Sequence, residues 1–301
     1  HIIRHMDLIR LEDTWGLVHE WFDGSPLGAR IPDTGFDLES FLGMAIQIAK
    51  GVSEIHNRDI VHQGISPETV FISPDLNLIK IGDFSRSTHN AQLTRGDISG
   101  MGRNLAYISP EQTGRMNRYV DFRSDFYSLG ILFYHMLTGT VPFVSKDPLE
   151  MVHWHIARQA APLNEAQSAI PDFLSRIVTK LMAKNTEDRY QSARGILFDL
   201  EACRDHSFQA MADTPAGLKD FSDTFSIPQK LYGREPDLSL LDRQLNRVAQ
   251  GDTVAVVVTG YSGIGKSSLV NELQKEILLK NAYFGAGKYE HQKKNVSYSA
   301  I

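Results

Sequence analysis

The 301-residue sequence predicts two folded units in series: a mainly helical α+β domain over residues 1–204 and the start of an α/β domain over residues 227–301, joined by a linker at 205–226. Three observations predict this. Apolar residues recur at three- and four-residue spacing through several long stretches before residue 205. Residues 205–226, DHSFQAMADTPAGLKDFSDTFS, lose that period and gather Ser, Thr, Asp, Ala and Gly. Beyond them come a β-branched run, a glycine-rich turn and a helical pattern, the order that opens a parallel α/β domain.

The elements follow in chain order. Two β-rich runs near 6–11 and 16–22 predict a hairpin. From Asp37 to Asn57 the residues Leu38, Phe41, Leu42, Ala45, Ile48, Ala49, Val52 and Ile55 form one apolar stripe, with Asp37 as N-cap. TVFIS (69–73) and LIKIGDF (78–84) read as strands on either side of the turn PDLN. RSDFYSLGILFYHMLTG (123–139) is apolar on nearly all sides, so it predicts a helix in the domain's centre, ended by Gly139 and Pro142. Further helices are expected at 147–159, 171–184 and 191–204. The second unit should hold a helix at 235–249, a strand TVAVVVT (253–259), a helix at 266–280 and a strand near 281–289.

Composition bounds the function. A net charge of −5 with both signs interspersed gives no basic field for nucleic acid. One cysteine, Cys203, cannot close an internal disulfide, and no apolar run reaches the roughly 18 residues of a membrane span, so a cytoplasmic location is expected. His1 opens straight into a strand-like run and NVSYSAI stops in ordinary globular sequence. Both ends therefore predict a portion of a longer protein.

The order of motifs from His62 to Arg189 carries a resemblance. HQGISPET (62–69), DFS (83–85), SPE (109–111), SDFYSLG (124–130) and EDRY (187–190) stand where a protein kinase has H-R-D-L-K-P-x-N, D-F-G, A-P-E, a buried helix opening with an aspartate, and a late arginine. The chain thus resembles a protein kinase, mostly its helical C-lobe, with the N-lobe incomplete. The resemblance implies that Asp83 would hold Mg²⁺, that Glu111 would pair with Arg189, that Asp125 would bond the catalytic-loop backbone, and that His62 and Phe84 would join an internal apolar spine. It also exposes losses. Gly64 stands at the catalytic aspartate, Thr69 at the metal-binding asparagine and Ser66 at the loop lysine. Loss of a general base alone costs about 10²- to 10⁴-fold, so phosphotransfer should be weak or absent. Asp59, in HNRDI (56–60), lies 24 residues before Asp83 and reads as a solvated helix-end turn. Thr88, Thr94 and Ser99 fall in the activation-segment position, and the charged face around Arg115, Asn117 and Arg118 reads as a solvated face, with a partner or phosphorylated loop as the alternative. A protein substrate or signalling partner is the further partner expectation.

GYSGIGKSS (260–268) is a G-x-x-x-x-G-K-S motif between a predicted strand and a predicted helix. Gly260, Gly263 and Gly265 would let backbone N–H groups wrap phosphates, with Ser268 beside them. Lys266 would reach the β- and γ-phosphates and Ser267 would ligate Mg²⁺. The expected cofactors are ATP and Mg²⁺. Glu290, after the next predicted strand, reads as a surface residue rather than the acid that hydrolysis needs.

Taken with SPEQTGRMNR and FSIPQKLYGRE, the whole chain resembles the N-terminal part of large sensor hybrid histidine kinases, in which a Ser/Thr-kinase-like domain precedes an AAA/STAND-type ATPase. The resemblance implies two-component signalling, downstream sensor and histidine kinase domains of the same polypeptide as partners, and Gly233, Arg234 and Glu235 near the nucleotide base. It leaves two alternatives to a signalling pseudokinase: an active Ser/Thr kinase in the full-length protein, and a regulatory ATPase.

Overall fold

The structure, a computed structural model, describes residues 1–12, 14–89, 94–95, 102–116, 118–167, 169–205, 214–221, 232–261, 263–280, 282 and 285. The chain divides into two compact units, His1–Gln229 and Lys230–Ile301.

The first unit opens with the antiparallel hairpin β1 (His5–Leu11) and β2 (Thr14–His19). After β3 (Ser25–Pro26) the chain enters α1 (Leu38–His56), where Asp37 Oδ1 accepts the Ser40 N–H at 2.9 Å. That backbone hydrogen bond holds the Asp37 carboxyl below its usual range. Then come β4 (Ile60–Val61), β5 (Val70–Ile72), β6 (Ile79–Ile81) and β7 (Thr88–His89). β3, β5 and β6 form one antiparallel sheet, and β4 pairs with β7. β8 (Thr94–Arg95) pairs with β9 (Tyr119–Val120) across the segment that leads into α2 (Phe122–Thr138).

α2 is the centre of the unit. Phe126, Leu129, Ile131, Leu132, Phe133 and Met136 are all fully buried, each worth about 1.5–3 kcal/mol relative to exposure. The Asp121 side chain caps its start and Gly139 its end. α4 (Leu163–Ala166) and α5 (Asp172–Leu181) pack on it, α3 (Pro148–Ala157) meets it through His155 and Tyr127, and α6 (Ala193–Arg204) packs on α1 and α5. α1 lies against α6, and α2 against α5. Each predicted helix of this unit is present; α2 begins one residue before its predicted start, and the others are trimmed at one or both ends.

The second unit contains α7 (Glu235–Ala249) and α8 (Lys266–Leu279), packed on each other. Lys280 donates to Asn246 Oδ1 at 2.7 Å, tying the end of α8 to α7. The strand predicted at 253–259 is not formed. A parallel strand needs a ladder beside it and cover on both faces. Among the described residues of this unit no second strand supplies one, and Val257 is 83% exposed. The strand predicted near 281–289 lies outside the described residues save 282 and 285.

Candidate nucleotide and phosphotransfer sites

In the first unit the turn after β4 carries the catalytic-loop residues, and α2 fixes it. Asp125, fully buried in the first turn of α2, accepts from His62 N at 2.8 Å, Gln63 N at 2.7 Å and His56 Nε2 at 2.9 Å. Three donors satisfy a carboxylate that burial would otherwise destabilise. Two consecutive amides aimed at one side chain also fix the backbone here. Gln63 takes φ +59° and the Gln112 amide closes on its carbonyl at 2.9 Å. Buried His62 donates Nε2–H to Gly82 O at 3.0 Å and packs, tilted, against the Phe84 ring at 4.8 Å, and burial pushes its imidazole down.

Gly64 follows with no side chain to take a proton. A Cβ there would meet its nearest atoms, His62 Nδ1 and Arg86 Cδ, at 3.6 and 3.8 Å, ordinary contact distances. Thr69 is turned inward. Its hydroxyl accepts from Ser66 N at 3.0 Å and faces Gly64 O and Ser66 O at 2.9 and 3.1 Å, so it closes the loop. Ser66 is itself fully buried. Asp83 is exposed with φ +56°, and its Oδ1 accepts Ser85 N at 3.3 Å. Asp59 is an exposed turn residue at φ +57°. Beside Asp83 lies a cavity of about 620 Å³ whose walls include His5, Trp21, Phe22, Phe71 and Phe84, within the size range of small-molecule sites.

Glu111 and Arg189 form a buried bidentate pair, at 2.7 and 2.8 Å. Arg189 further donates to the carbonyls of Ala183 and Arg123, and Ser124 Oγ donates to Glu111. Burial alone would raise the Glu111 carboxyl. The Arg189 charge and the hydrogen bonds of Arg189 and Ser124 outweigh it and hold the group down at about 2.

The charged face expected near residue 118 needs correction. Arg118 is 7% exposed and donates to both Glu187 oxygens, at 2.8 and 3.0 Å, so it is an internal ion pair and not a partner-facing charge. Arg115 is exposed. Asn117, Ser99 and Glu290 lie outside the described residues; Thr88 and Thr94 stand in β7 and β8.

In the second unit the segment Gly260–Ser268 leads into α8. Gly260, Gly263 and Gly265 adopt φ of +155°, +81° and +91°, backbone that residues with a Cβ rarely take. Lys266 folds its ammonium onto the carbonyls of Gly260 and Tyr261, at 2.9 and 2.7 Å. Ser267 is exposed and Ser268 half-buried at the head of the helix. Arg234 pairs with Asp237 at 3.1 Å and donates to Ile264 O at 3.2 Å. It lines a cavity of about 290 Å³ with Leu240, Val256, Val258 and Leu269. Gly233, at φ +70°, and Glu235 flank it, with Gly233 N donating to Glu235 Oε1.

These residues fit a nucleoside triphosphate. Glycine-bearing backbone, one lysine and a helix N-terminus converge on one loop, the arrangement that binds phosphate. No cluster of three metal-ligating side chains occurs among the described residues. Mg²⁺ needs none, since one or two protein ligands and phosphate oxygens complete its shell. Ser267, and in the first unit Asp83, could each supply one.

Gln63, His56 and Gln191 were missed by the sequence. His56 differs from any other histidine of a helix end only through Asp125, 69 positions away, so no local signal marks it.

A fold built on a central helix whose aspartate holds a catalytic loop, with a separate glycine-rich phosphate loop, defines a kinase domain followed by an ATPase region. The protein kinase domain family matches residues 1–206, and the chain belongs to it; the AAA ATPase domain family matches residues 230–301. The hybrid signal transduction histidine kinase G of Dictyostelium discoideum is 36% identical over 65% of this chain and 6% of its own length. The peroxide stress-activated histidine kinase of Schizosaccharomyces pombe is 25% identical over 87% of this chain and 13% of its own. The serine/threonine-protein kinase PknB of Mycolicibacterium smegmatis is 33% identical over 55% of this chain and 26% of its own. The chain therefore spans only a minor part of each. Among the described residues no helix is long and apolar enough to cross a membrane.

Proposed function

We propose that this chain is a signalling segment of a cytoplasmic sensor histidine kinase, in which a phosphotransfer-impaired kinase domain acts as a scaffold joined to an ATP-binding P-loop unit. The observation that carries the reading is Gly64. The catalytic loop around it is held by Asp125 and closed by Thr69, yet the position of the general base has no side chain. The loop is built as a structural element while its proton acceptor is gone.

In this reading the P-loop unit is the nucleotide site. A bound triphosphate supplies the charge that the loop is shaped to receive. Lys266 exchanges the carbonyls of Gly260 and Tyr261 for phosphate oxygens, the loop amides orient the chain of phosphates, and Arg234 holds the loop through Ile264 O. Ser267 is the proposed Mg²⁺ ligand of this unit, while Asp83 of the first unit would hold Mg²⁺ only if the kinase domain itself bound nucleotide. The unit passes its nucleotide state to downstream domains of the same polypeptide. A second reading, a regulatory ATPase with the kinase domain as packing partner, is favoured by the same phosphate loop.

The test is phosphotransfer from labelled ATP to the chain itself and to casein. The proposal expects no incorporation above that of an Asp83→Ala control. Incorporation that Asp83→Ala abolishes would contradict it and restore the kinase reading.

A further inference from the structure

We propose that residues 214–221, the described part of the stretch read as a linker, form a detachable strap on the first unit, seated beside the network that holds Glu111. Two carboxylates hold it. Asp220 reaches the head of α6, where Oδ2 accepts Gln191 N at 2.6 Å and Oδ1 accepts Ser192 Oγ at 2.7 Å. Asp199, on α6, accepts Gly217 N at 2.6 Å and the Tyr190 hydroxyl. Arg176 of α5 donates to Thr214 O at 3.4 Å, and the Lys219 ammonium lies over the Phe198 ring at 4.4 Å.

Two glycines make room for the strap. A Cβ on Gly195 would stand 2.5 Å from Asp220 Oδ1, so α6 admits the carboxylate only because that position is bare. Gly195 stands in the first turn of α6, where alanine is a better helix former than glycine, and the strap accounts for the glycine. Gly217 turns at φ +80° against Lys180, whose Cε would lie 2.5 Å from a Cβ there.

The anchors are polar and few. Ala216 packs against the core, while Leu218 and Phe221 remain 60% and 72% exposed. A segment with little buried apolar area belongs to the low end of the local-stability range and opens without global unfolding. The strap also ends on Gln191, whose side chain accepts from Arg123 at 3.1 Å and donates to Arg189 O at 2.9 Å. Its docking site thus adjoins the network that holds Glu111.

Hydrogen exchange on the full 301-residue chain tests the strap, read in the peptide covering 214–221 and in α2. In the wild type 214–221 should be protected. Asp220→Ala and Gly195→Ala should each speed its exchange at least tenfold and leave α2 unchanged. Gly195→Ala is the sharper variant, because alanine favours the helix while its methyl group evicts Asp220, so the melting temperature should not fall. An unprotected 214–221 in the wild type, no acceleration in either variant, or equal acceleration of α2 would each overturn the proposal.

Discussion

Arg189 and Glu111 face each other through two parallel hydrogen bonds of 2.7 and 2.8 Å, with both side chains at most 1% exposed. They join residues 78 positions apart, and Ser124 of α2 completes the site. Breaking a buried pair strands the other charge, which costs about 3–5 kcal/mol. Glu111→Gln and Arg189→Ala should each destabilise the first unit by that amount in urea titrations at neutral pH. Replacing both with apolar residues of similar volume should recover much of the loss.

The same pair predicts an acid limb. The Glu111 carboxyl, at about 2 in the fold, sits below its ordinary 4.5. A lowered carboxylate contributes stability that is present above pH 4.5 and is lost as pH falls from there towards 2. The stability gap between wild type and Glu111→Gln should therefore narrow over that window. A gap independent of pH would contradict the assignment.

His155 acts over a higher window. Burial, helped by the nearby Lys184 charge, pushes its imidazole down to about 3. Its Nε2 is buried without a hydrogen-bond partner, while Nδ1 meets the Tyr127 hydroxyl at 3.1 Å. Below pH 6.5 the unfolded chain takes up a proton that the folded chain refuses, so stability falls as pH drops towards 3. Between pH 7 and pH 5 this group accounts for about 2 kcal/mol. His155→Gln should flatten the wild-type slope by that amount in urea titrations at the two pH values.

How far these sites could be read from the sequence depended on where the determinants lie. α1 and α2 were readable because stripe, cap and stop are local: Asp37, Asp121 and Gly139 each act within four residues of a helix end. The 253–259 strand was not, because a ladder is a property of two segments and the run TVAVVVT specifies only one. Arg118 reads as a surface charge in its own neighbourhood, whereas its pairing with Glu187, 69 positions on, internalises it. The segment around Asp220 has turn-like composition, which is correct locally, but its carboxylate closes on Gln191 and Ser192. Gly64 was the most direct reading, since a missing side chain needs no tertiary partner to be noticed.

Gly64→Asp probes whether position 64 is structurally free. Contacts of 3.6 Å or more leave room for a Cβ at position 64, so the unfolding free energy should change by no more than about 1 kcal/mol. Phosphotransfer should stay at background, because Thr69 remains turned into the loop. A tenfold gain in transfer over wild type would show that the base alone was lacking.

Gly265→Ala tests the phosphate loop. At φ +91° an alanine costs about 1–3 kcal/mol of backbone strain. The variant should bind a fluorescent ATP analogue at least tenfold more weakly while the melting of the first unit is unchanged.

The central claim is that nucleotide binds at the P-loop and that the kinase domain serves as scaffold. A Mg²⁺-dependent titration of a fluorescent ATP analogue into wild type, Lys266→Ala and Asp83→Ala tests it most directly. The account predicts that Lys266→Ala abolishes binding and Asp83→Ala leaves it within about twofold, since a twofold change is under 0.5 kcal/mol. Binding that survives Lys266→Ala and is lost in Asp83→Ala would contradict it, placing the nucleotide in the cavity beside Phe84.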